Sequence, residues 1–315
     1  MPPLVSILIP SFNHGRYVKR CIDSVINQDH DNIELIIIDD GSSDDSVKVI
    51  EGMAQVCRTR FTRFLFRARG NFGLSETINE ALEWSKGSYF SAIASDDVLH
   101  VNKTSSLLAQ IEGEEDVAGI FGGCQMIDST GAIVSVLRPM PKYYSFEDVL
   151  TNRHIIVAPS QLLRLQALRD VGGYPRDLLI EDWYMWLALA KSGYKLKVVP
   201  DILVQYRQHD FNSFKNASKM YEARRAILSN YKFHPLYQFS MSQTCVSAAI
   251  DISRTSKVQS AKYLVDAMMH SRRILLTRMF ISGFSRLFIP NYVVVLLSRL
   301  KRWMRLKQLI IPRAW

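Results

Sequence analysis

Short apolar runs and amphipathic stretches alternate along the chain between residues 4 and 122. The apolar runs are rich in β-branched residues and lie at Leu4–Ile9, Ile33–Ile38, Phe61–Phe66, Tyr89–Ala94 and Ala118–Phe121. Runs of this length and composition are typical of buried strands in a parallel sheet. Helical periodicity is found between them, near residues 17–27, 44–53, 75–85 and 103–111. The alternation predicts βαβ units and therefore an α/β fold.

Beyond residue 122 the apolar runs become shorter and lie in pairs. One pair flanks Ser129-Thr130-Gly131, which predicts an antiparallel hairpin, and the other flanks Pro200-Asp201. These four strands are predicted at residues 125–128, 132–136, 196–199 and 202–206. Between the pairs, Glu181–Lys191 is predicted to be an amphipathic helix, and after Ser213 the pattern is helical almost to the end.

The pattern divides the chain into two predicted regions, an α/β domain over residues 1–212 and a helical region over residues 213–315. Charge separates the regions further. The chain has a net charge of +9, yet residues 267–315 contain ten Lys or Arg and no Asp or Glu. Subtracting those ten leaves a net charge near −1 for residues 1–266. A nucleic-acid-binding core would carry its own basic face, so we expect no nucleic-acid partner.

The basic tail predicts contact with an anionic membrane surface. A helix over residues 296–311 would place its apolar residues on one side: Leu296, Leu297, Leu300, Trp303, Met304 and Ile311. Basic residues fall on the other side at Arg299, Lys301, Arg302 and Arg305, with Lys307 and Leu309 as exceptions. The alternative is that the apolar side packs against the α/β domain or a second subunit, which leaves a homo-oligomer open.

Cysteine usage and the ends of the chain bear on the compartment. The four cysteines are scattered without metal-site spacing, which is typical of free thiols in a reducing compartment. No signal-peptide pattern precedes the first strand, and the uncharged stretch Leu287–Ser298 is too short to span a bilayer. We therefore expect a cytoplasmic protein that is peripheral at the inner face of the cell membrane.

Three acidic pairs are the candidate chemistry. Asp39-Asp40 and Asp96-Asp97 each follow a predicted buried strand, and Glu181-Asp182 opens a predicted helix. Ligands of open α/β sheets bind beyond the carboxyl ends of the strands, so the first two pairs should line one crevice. Crowded carboxylates repel each other unless a cation or a donor lies between them. A divalent metal bound together with a phosphate ligand meets that need most simply.

Further polar motifs follow the same strands. They are Pro10-Ser11-Phe12-Asn13, Asp39-Asp40-Gly41-Ser42 and the segment Arg69–Ser75, in which Phe72 and Leu74 are predicted to be core residues. Each motif alone is a weak signal, because Asp-Gly and Asn-x-Gly are common in turns. In this order ahead of Ser95-Asp96-Asp97, they resemble the family-2 glycosyltransferases. The resemblance covers roughly residues 3–212 and includes Val171–Tyr174, Glu181-Asp182 and Tyr206–His209.

The resemblance implies a GT-A fold, a Rossmann-like mixed sheet with flanking helices, and a helical C-terminal extension. It implies a nucleotide-binding set, which consists of Pro10, Ser11, Phe12, Asn13, Asp39, Asp40, Arg69, Asn71 and Asp96. Asp96, Asp97 and His209 are implied as metal ligands for Mn²⁺ or Mg²⁺. Asp182 is implied as the catalytic base, with Glu181 beside it. Many relatives have an Asp where this chain has Ala94, which puts the strength of metal binding in question.

The residues themselves support these roles. A divalent ion with oxygen ligands stabilises the charge that develops on a leaving diphosphate. A sugar hydroxyl is a poor nucleophile, so a carboxylate must take its proton, and the start of a helix favours an ionised Asp182. We therefore predict an inverting, metal-dependent transfer of a sugar from a nucleotide donor, UDP- or dTDP-linked. The predicted acceptor is a hydroxyl of a lipid-linked glycan in surface polysaccharide assembly, of the O-antigen or capsule type.

Other interpretations remain open at the level of sequence. A protein that keeps the fold but binds nucleotide-sugars without turnover would fit Ala94 equally well. A Rossmann oxidoreductase is disfavoured because no G-x-G-x-x-G follows the first strand. A nucleotidyltransferase would need a glycine-rich phosphate loop that residues 11–15 do not supply. Taken alone, Glu181-Asp182 could also be a simple helix cap.

Overall fold

The structure of the protein is a computed structural model that describes residues 2–176, 178–208, 217–290 and Val293. These residues form two compact units. The first comprises residues up to Phe146 together with Ile155–Gln208, and the second comprises Glu147–His154 together with the residues after 208. The predicted domain boundary at residue 212 and the predicted tail helix over residues 296–311 lie outside the described residues.

A mixed β-sheet is the centre of the first unit. Its strands are β1 Val5–Ser11, β2 Ile33–Asp40, β3 Arg63–Arg69, β4 Tyr89–Ala92, β5 Val98–Leu99, β6 Val117–Ile127, β7 Ile133–Leu137, β8 Lys142–Tyr144, β9 Leu162–Arg164 and β10 Lys195–Arg207. The strand order is β3-β2-β1-β4-β9-β6-β10-β5, with β7 paired to β6 and β8 paired to β10. Strands β3, β2, β1 and β4 run parallel, and β9 is antiparallel to both β4 and β6.

Helices of the first unit pack on the sheet. They are α1 Val18–Ile26, α2 Ser46–Arg60, α3 Leu74–Trp84, α4 Lys103–Ile111, α6 Leu165–Asp170 and α7 Glu181–Lys191. The short helix α5 Phe146–Leu150 belongs to the second unit from Glu147 onward. Every residue of β2 is buried, as expected for a parallel strand with both faces covered. The β-branched residues of β1 and β2 and the apolar sides of α1 and α4 form the core of this unit.

Most predicted helices and strands are present. The differences concern strands whose length or existence depends on pairing with another strand. The predicted strands before residue 122 correspond to β1–β4 and to the start of β6. β6 continues into the predicted hairpin strand, and β10 joins the two strands predicted around Pro200. Its register against β6 shifts between Val198 and Ile202, which accommodates a proline that cannot donate to the ladder. The short strands β5, β8 and β9 were not predicted, because they depend on their tertiary partners.

A buried carboxylate joins the starts of the parallel strands, at the edge opposite to the acidic pairs. Glu34 of β2 has no exposed surface. Its Oε1 accepts hydrogen bonds from Ser6 Oγ at 2.5 Å, from Lys86 N at 2.5 Å and from Gly87 N at 3.0 Å. Its Oε2 is paired with Arg63 of β3 at 2.5 Å. Such a carboxylate is tolerated in the core because both of its oxygens accept from donors.

Glu34→Gln is expected to destabilise the protein by about 1–3 kcal/mol, because the NH2 group of the buried amide must face either Arg63 or the amides of Lys86 and Gly87, all of which are donors. The measurement is chemical unfolding of the full chain. The matched control is Asp31→Asn, since Asp31 is 99% exposed in its contact with Arg60 at 3.9 Å and should change stability by less than about 0.5 kcal/mol. Equal effects of the two changes would contradict the role assigned to Glu34.

The second unit is helical in its described part. Its longer helices are α8 Ala217–Ser229, α9 Tyr237–Ile252, α10 Lys257–His270 and α11 Arg278–Phe288, with a 3-10 turn at Arg272–Leu276 before α11. α9 is buried on most of its surface and packs against α8, α10 and α11. Two buried hydroxyls join α9 to α10, with Ser242 Oγ donating to Ala267 O at 2.8 Å and Ser260 Oγ donating to Ala249 O at 2.8 Å. Among the described helices, none combines the length and the apolar character that crossing a bilayer requires.

Candidate active site

The carboxyl ends of β1, β2, β3 and β4 place the polar motifs at one edge of the sheet. Ser11 ends β1, Asp39-Asp40 ends β2, Arg69 ends β3, and Asp96-Asp97 lies just beyond β4. The parallel pairing sets Ser11 beside Asp39 and Asp40 beside Arg69. The predicted crevice therefore brings together residues from four separate parts of the sequence.

Asp39 organises the loops that follow β1 and β2. Its carboxylate is buried and accepts hydrogen bonds from Ser11 Oγ at 2.9 Å, from Ser42 N at 2.8 Å and from Ser42 Oγ at 2.7 Å. Asn13, whose φ is +54°, donates its backbone N–H to Ser42 Oγ at 2.8 Å, and its side chain accepts from Ser43 N at 2.8 Å. Asp39 and Asn13 thus hold the two loops together, and the exposed residue Phe12 lies between Ser11 and Asn13 in sequence.

Asp40 holds the loop after β3 in place in the same way, through hydrogen bonds to its carboxylate. It pairs with Arg69 and accepts from Phe72 N at 2.9 Å and from Gly73 N at 2.8 Å. Arg69 Nε also donates to Glu80 at 3.0 Å. Both carboxylate oxygens of Asp40 are therefore engaged, so an additional hydrogen bond to a nucleobase would have to share them.

Asn71 and its neighbours form the exposed rim of this loop. Phe72 is 65% exposed and Leu74 is 42% exposed, so the prediction that they belong to the core was wrong. Because Asp40 captures the amides of residues 72 and 73, the backbone turns outward, and the Phe72 ring lies under the Arg69 guanidinium at 4.8 Å. Gly41 has a φ of +85°, and an added Cβ would lie 2.8 Å from Asn71 N, so only glycine fits this turn.

Asp96 and Asp97 are both buried at the end of β4, with exposed fractions of 4% and 1%. Asp97 Oδ1 accepts a hydrogen bond from Arg207 N at 2.7 Å. Its Oδ2 is buried without a hydrogen-bond partner among the described residues. Burial, and then the charge of Asp96, raise the pKa of Asp97 well above its ordinary value. An orphaned carboxylate oxygen beside a second carboxylate suits a divalent cation with oxygen ligands.

Arg207 holds the acidic pair in place. Besides its backbone bond to Asp97, its Nε donates to Asp96 O at 2.8 Å and its Nη1 donates to Asp128 O at 2.9 Å. Its guanidinium lies over the Tyr17 ring at 4.5 Å, and the residue is 2% exposed. Arg207 lies in the motif Tyr206–His209, but the sequence predicts no role for it, because only the pairing of β10 shows what it contacts.

His14 is a second residue that sequence reasoning missed. Its Nδ1 is 2.8 Å from Ser95 Oγ and 3.8 Å from Asp96 Oδ1. The only sequence signal was its position directly after the Pro10–Asn13 motif. His209, the third predicted metal ligand, lies outside the described residues. Within the described ranges, no group of three or more His, Cys, Asp or Glu side chains could by itself hold a metal ion.

The third acidic pair begins α7, as predicted. Ile180 is the N-cap and makes no side-chain cap bond, while Asp182 Oδ1 accepts from the neighbouring Trp183 N at 2.6 Å. Burial, and then the charge of Asp182, raise the pKa of Glu181 to about 8. Burial also raises the pKa of Tyr206, with further contributions from Asp97, Asp96 and Asp182. One phenol thus feels the charge of both pairs, so both pairs lie within electrostatic range of Tyr206.

Comparison with known proteins gives the family. The model of the family described as "Glycosyl transferase family 2" matches residues 6–172, more than half of the chain. The chain belongs to glycosyltransferase family 2. The match includes the motifs at the ends of β1–β4 and stops before Glu181-Asp182.

Individual family-2 relatives are distant. An uncharacterized glycosyltransferase of Rickettsia felis is 25% identical over 267 residues, which are 81% of this chain and 42% of that protein. The putative teichuronic acid biosynthesis glycosyltransferase TuaG of Bacillus subtilis is 27% identical over 232 residues, which are 71% of this chain and 88% of that protein. The chain thus spans less than half the length of the rickettsial relative.

Solved structures confirm the predicted fold. S. aureus TarS in complex with UDP-GlcNAc has a TM-score of 0.62 at 17% identity, covering 84% of this chain and 79% of that one. The mannosyltransferase PcManGT of Pyrobaculum calidifontis, solved with GDP-Man and Mn²⁺, has a TM-score of 0.56 at 13% identity, covering 91% and 88%. The α/β architecture is the GT-A fold of family-2 glycosyltransferases, followed by helices.

The raised pKa of Glu181 predicts a pH-dependent stability. The unfolded chain loses this proton near pH 4.5, whereas the folded protein keeps it to about pH 8. The stabilisation is complete below the unfolded pKa and is lost as pH rises through the folded pKa. Glu181→Gln should therefore become more stable relative to the unmodified protein as pH rises from about 5 to 9. Unfolding midpoints across this range test the prediction.

The control is Glu83→Gln, which removes a carboxylate from an exposed position of α3, far in sequence from Asp182. Its difference from the unmodified protein should stay the same across the pH range. If Glu181→Gln behaved in the same way as Glu83→Gln, Glu181 would not be held protonated in the folded protein.

Proposed function

We propose that this family-2 protein is an inverting, metal-dependent glycosyltransferase that moves a sugar from a nucleotide donor to a glycan hydroxyl. The observation that carries the proposal is the buried Asp97 oxygen that has no hydrogen-bond partner among the described residues, beside Asp96, together with Tyr206, which feels the charges of Asp97, Asp96 and Asp182. A buried acidic pair that can bind a divalent cation, and a further carboxylate in the role of base, suit transfer from a diphosphate.

The donor would lie along the ends of β1–β4. Pro10, Phe12 and Asn71 would contact the nucleoside, while Asp39, Asp40 and Arg69 hold their loops in place through the hydrogen bonds described above. Loops fixed in advance lose little entropy on binding. The complexes of TarS with UDP-GlcNAc and of PcManGT with GDP-Man support a nucleotide-sugar ligand for this edge of the sheet. We propose a UDP- or dTDP-linked sugar.

The metal, Mn²⁺ or Mg²⁺, would be held by Asp96 and Asp97, with His209 as a third ligand. It would supply positive charge that stabilises the leaving diphosphate. Asp97 would contribute the oxygen that has no hydrogen-bond partner among the described residues, and Arg207 holds the Asp97 carboxylate and the Asp96 backbone in place. The Mn²⁺ in the PcManGT structure supports this choice of ion.

Asp182 would act as the base. As the acceptor oxygen attacks the anomeric carbon from the side opposite to the diphosphate, Asp182 takes the hydroxyl proton. The bond from the anomeric carbon to the diphosphate breaks with its electron pair, so the configuration inverts in a single displacement. A protonated Glu181 is neutral, so it would not add a second negative charge beside Asp182. Its O–H group would be a hydrogen-bond donor.

The name of a relative and the charge of the C-terminal residues bear on the acceptor and the location. The name of TuaG connects a relative with teichuronic acid, and TarS shares the fold. We propose a lipid-linked glycan in surface polysaccharide assembly as the acceptor and the cytoplasmic face of the membrane as the location. The ten basic and no acidic residues after residue 266 support contact with an anionic surface.

Replacing both Asp96 and Asp97 by Asn is expected to abolish transfer and to remove the Mn²⁺ dependence of nucleotide binding, because neutral amides bind a divalent ion poorly. The measurements are transfer activity and calorimetric titration of UDP or dTDP with and without Mn²⁺. Asp23→Asn is the control, since Asp23 is an exposed partner of Lys19 and should leave both unchanged. Full transfer in a chelator would contradict the metal role.

Asp182→Asn is expected to lower kcat about 10²- to 10⁴-fold and to leave the affinity for the donor close to that of the unmodified protein. The amide retains the size of the side chain but cannot accept the proton. A loss of donor binding with kcat retained would instead assign Asp182 to the structure of α7. Absence of turnover in the unmodified protein, with donor binding intact, would favour the non-catalytic alternative that Ala94 left open.

A further inference from the structure

One side of α11 presents large apolar residues to solvent. Ile281, Phe284 and Phe288 are 60%, 49% and 73% exposed, and Leu276 in the preceding 3-10 turn is 89% exposed. Positions 281, 284 and 288 follow the i, i+3, i+7 spacing that places side chains on one helical face. We call these four side chains the α11 face. Contiguous exposed apolar residues of this kind mark interaction sites in soluble domains.

The adjoining side of α11 is packed, so the orientation of the α11 face is fixed. Phe280 and Gly283 are buried, and a Cβ added at Gly283 would lie 3.2 Å from Leu264 of α10. The exposed rings continue the buried one, with centroids 6.3 Å apart between Phe280 and Phe284 and 5.3 Å apart between Phe284 and Phe288. The aromatic ridge is therefore held by the helical unit rather than carried on a loose segment.

The charges around the α11 face are basic. Arg272 and Arg273 in the 3-10 turn and Arg278 at the start of α11 are exposed, and no Asp or Glu occurs after residue 266. In helical projection, Arg278 falls beside the apolar row, next to Ile281. An apolar strip flanked by cations complements the acyl boundary and the anionic headgroups of a bilayer. A helix as short as α11 can lie in that interface but cannot cross it.

We propose that the α11 face docks the protein on the surface of an anionic membrane, with Phe284 and Phe288 inserted below the headgroups and Arg272, Arg273 and Arg278 among them. This surface belongs to the folded helical unit and is separate in sequence from the basic tail at residues 296–311. Its purpose rests on the proposed function, since a lipid-linked acceptor is presented at such a surface, but the binding itself does not.

The test is co-sedimentation of the full chain with vesicles, without donor or acceptor, so that its outcome is separate from any failure of transfer. The vesicles are phosphatidylcholine alone or with about one third phosphatidylglycerol. The double variant Phe284→Ser with Phe288→Ser should weaken binding to the anionic vesicles by about tenfold or more. Arg272→Gln with Arg273→Gln and Arg278→Gln should also weaken it and should reduce its dependence on salt.

The matched control is Phe233→Ser, because Phe233 is 90% exposed in the same unit but outside the α11 face. It should bind as the unmodified protein does, and equal unfolding midpoints should show that all variants are folded. Three results would overturn the proposal. The first is unchanged binding of the double variant, and the second is loss of binding with Trp303→Ala alone. The third is a dimer, detected by analytical sedimentation, that dissociates in the double variant, since the α11 face would then be a contact between two copies.

Discussion

Two adjacent carboxylates are buried at the end of β4, and the arrangement of the cleft depends on how their charge is accommodated. The protein satisfies part of it through Arg207, whose backbone reaches Asp97 and whose side chain reaches the carbonyl of Asp96. One oxygen of Asp97 has no hydrogen-bond partner among the residues that the structure describes. Ionising a buried carboxyl group with too few donors opposes folding, so this arrangement favours a cationic ligand in the folded state. Stability and ligand binding are thereby linked at the same atom.

The acidic pair Asp39-Asp40 differs, because the protein itself supplies the hydrogen-bond partners of both carboxylates. Its carboxylates are fully engaged by amides, hydroxyls and Arg69, and they fix the loops rather than wait for a ligand. Two Asp-Asp pairs, at the ends of the strands β2 and β4 that flank β1, thus have different surroundings. The carboxylates of Asp39 and Asp40 have partners within the protein, whereas Asp97 has an oxygen without a hydrogen-bond partner among the described residues.

The sequence predicted the strands β1–β4, the helices between them and the edge at which the motifs meet, because these depend on local apolar periodicity and on the geometry of parallel strands. It did not predict β9, whose three residues become a strand only between β4 and β6. It also missed the role of Arg207, which lies 110 residues from Asp97 and is aligned with it by the register of β10. Phe72 was misjudged for a similar reason, since its exposure depends on the distant Asp40.

The β2 strand has a buried carboxylate at each end, Glu34 near its start and Asp39-Asp40 at its finish, with only apolar residues between them. A register shift of one residue against β1 or β3 would move the carboxylates at both ends of β2 into apolar surroundings. It would also leave their hydrogen-bond donors without acceptors. Few surface strands carry such a penalty. Selection should therefore remove insertions and deletions in β2 even where it accepts substitutions that preserve side-chain volume. The length of β2 should be conserved more strictly than its sequence.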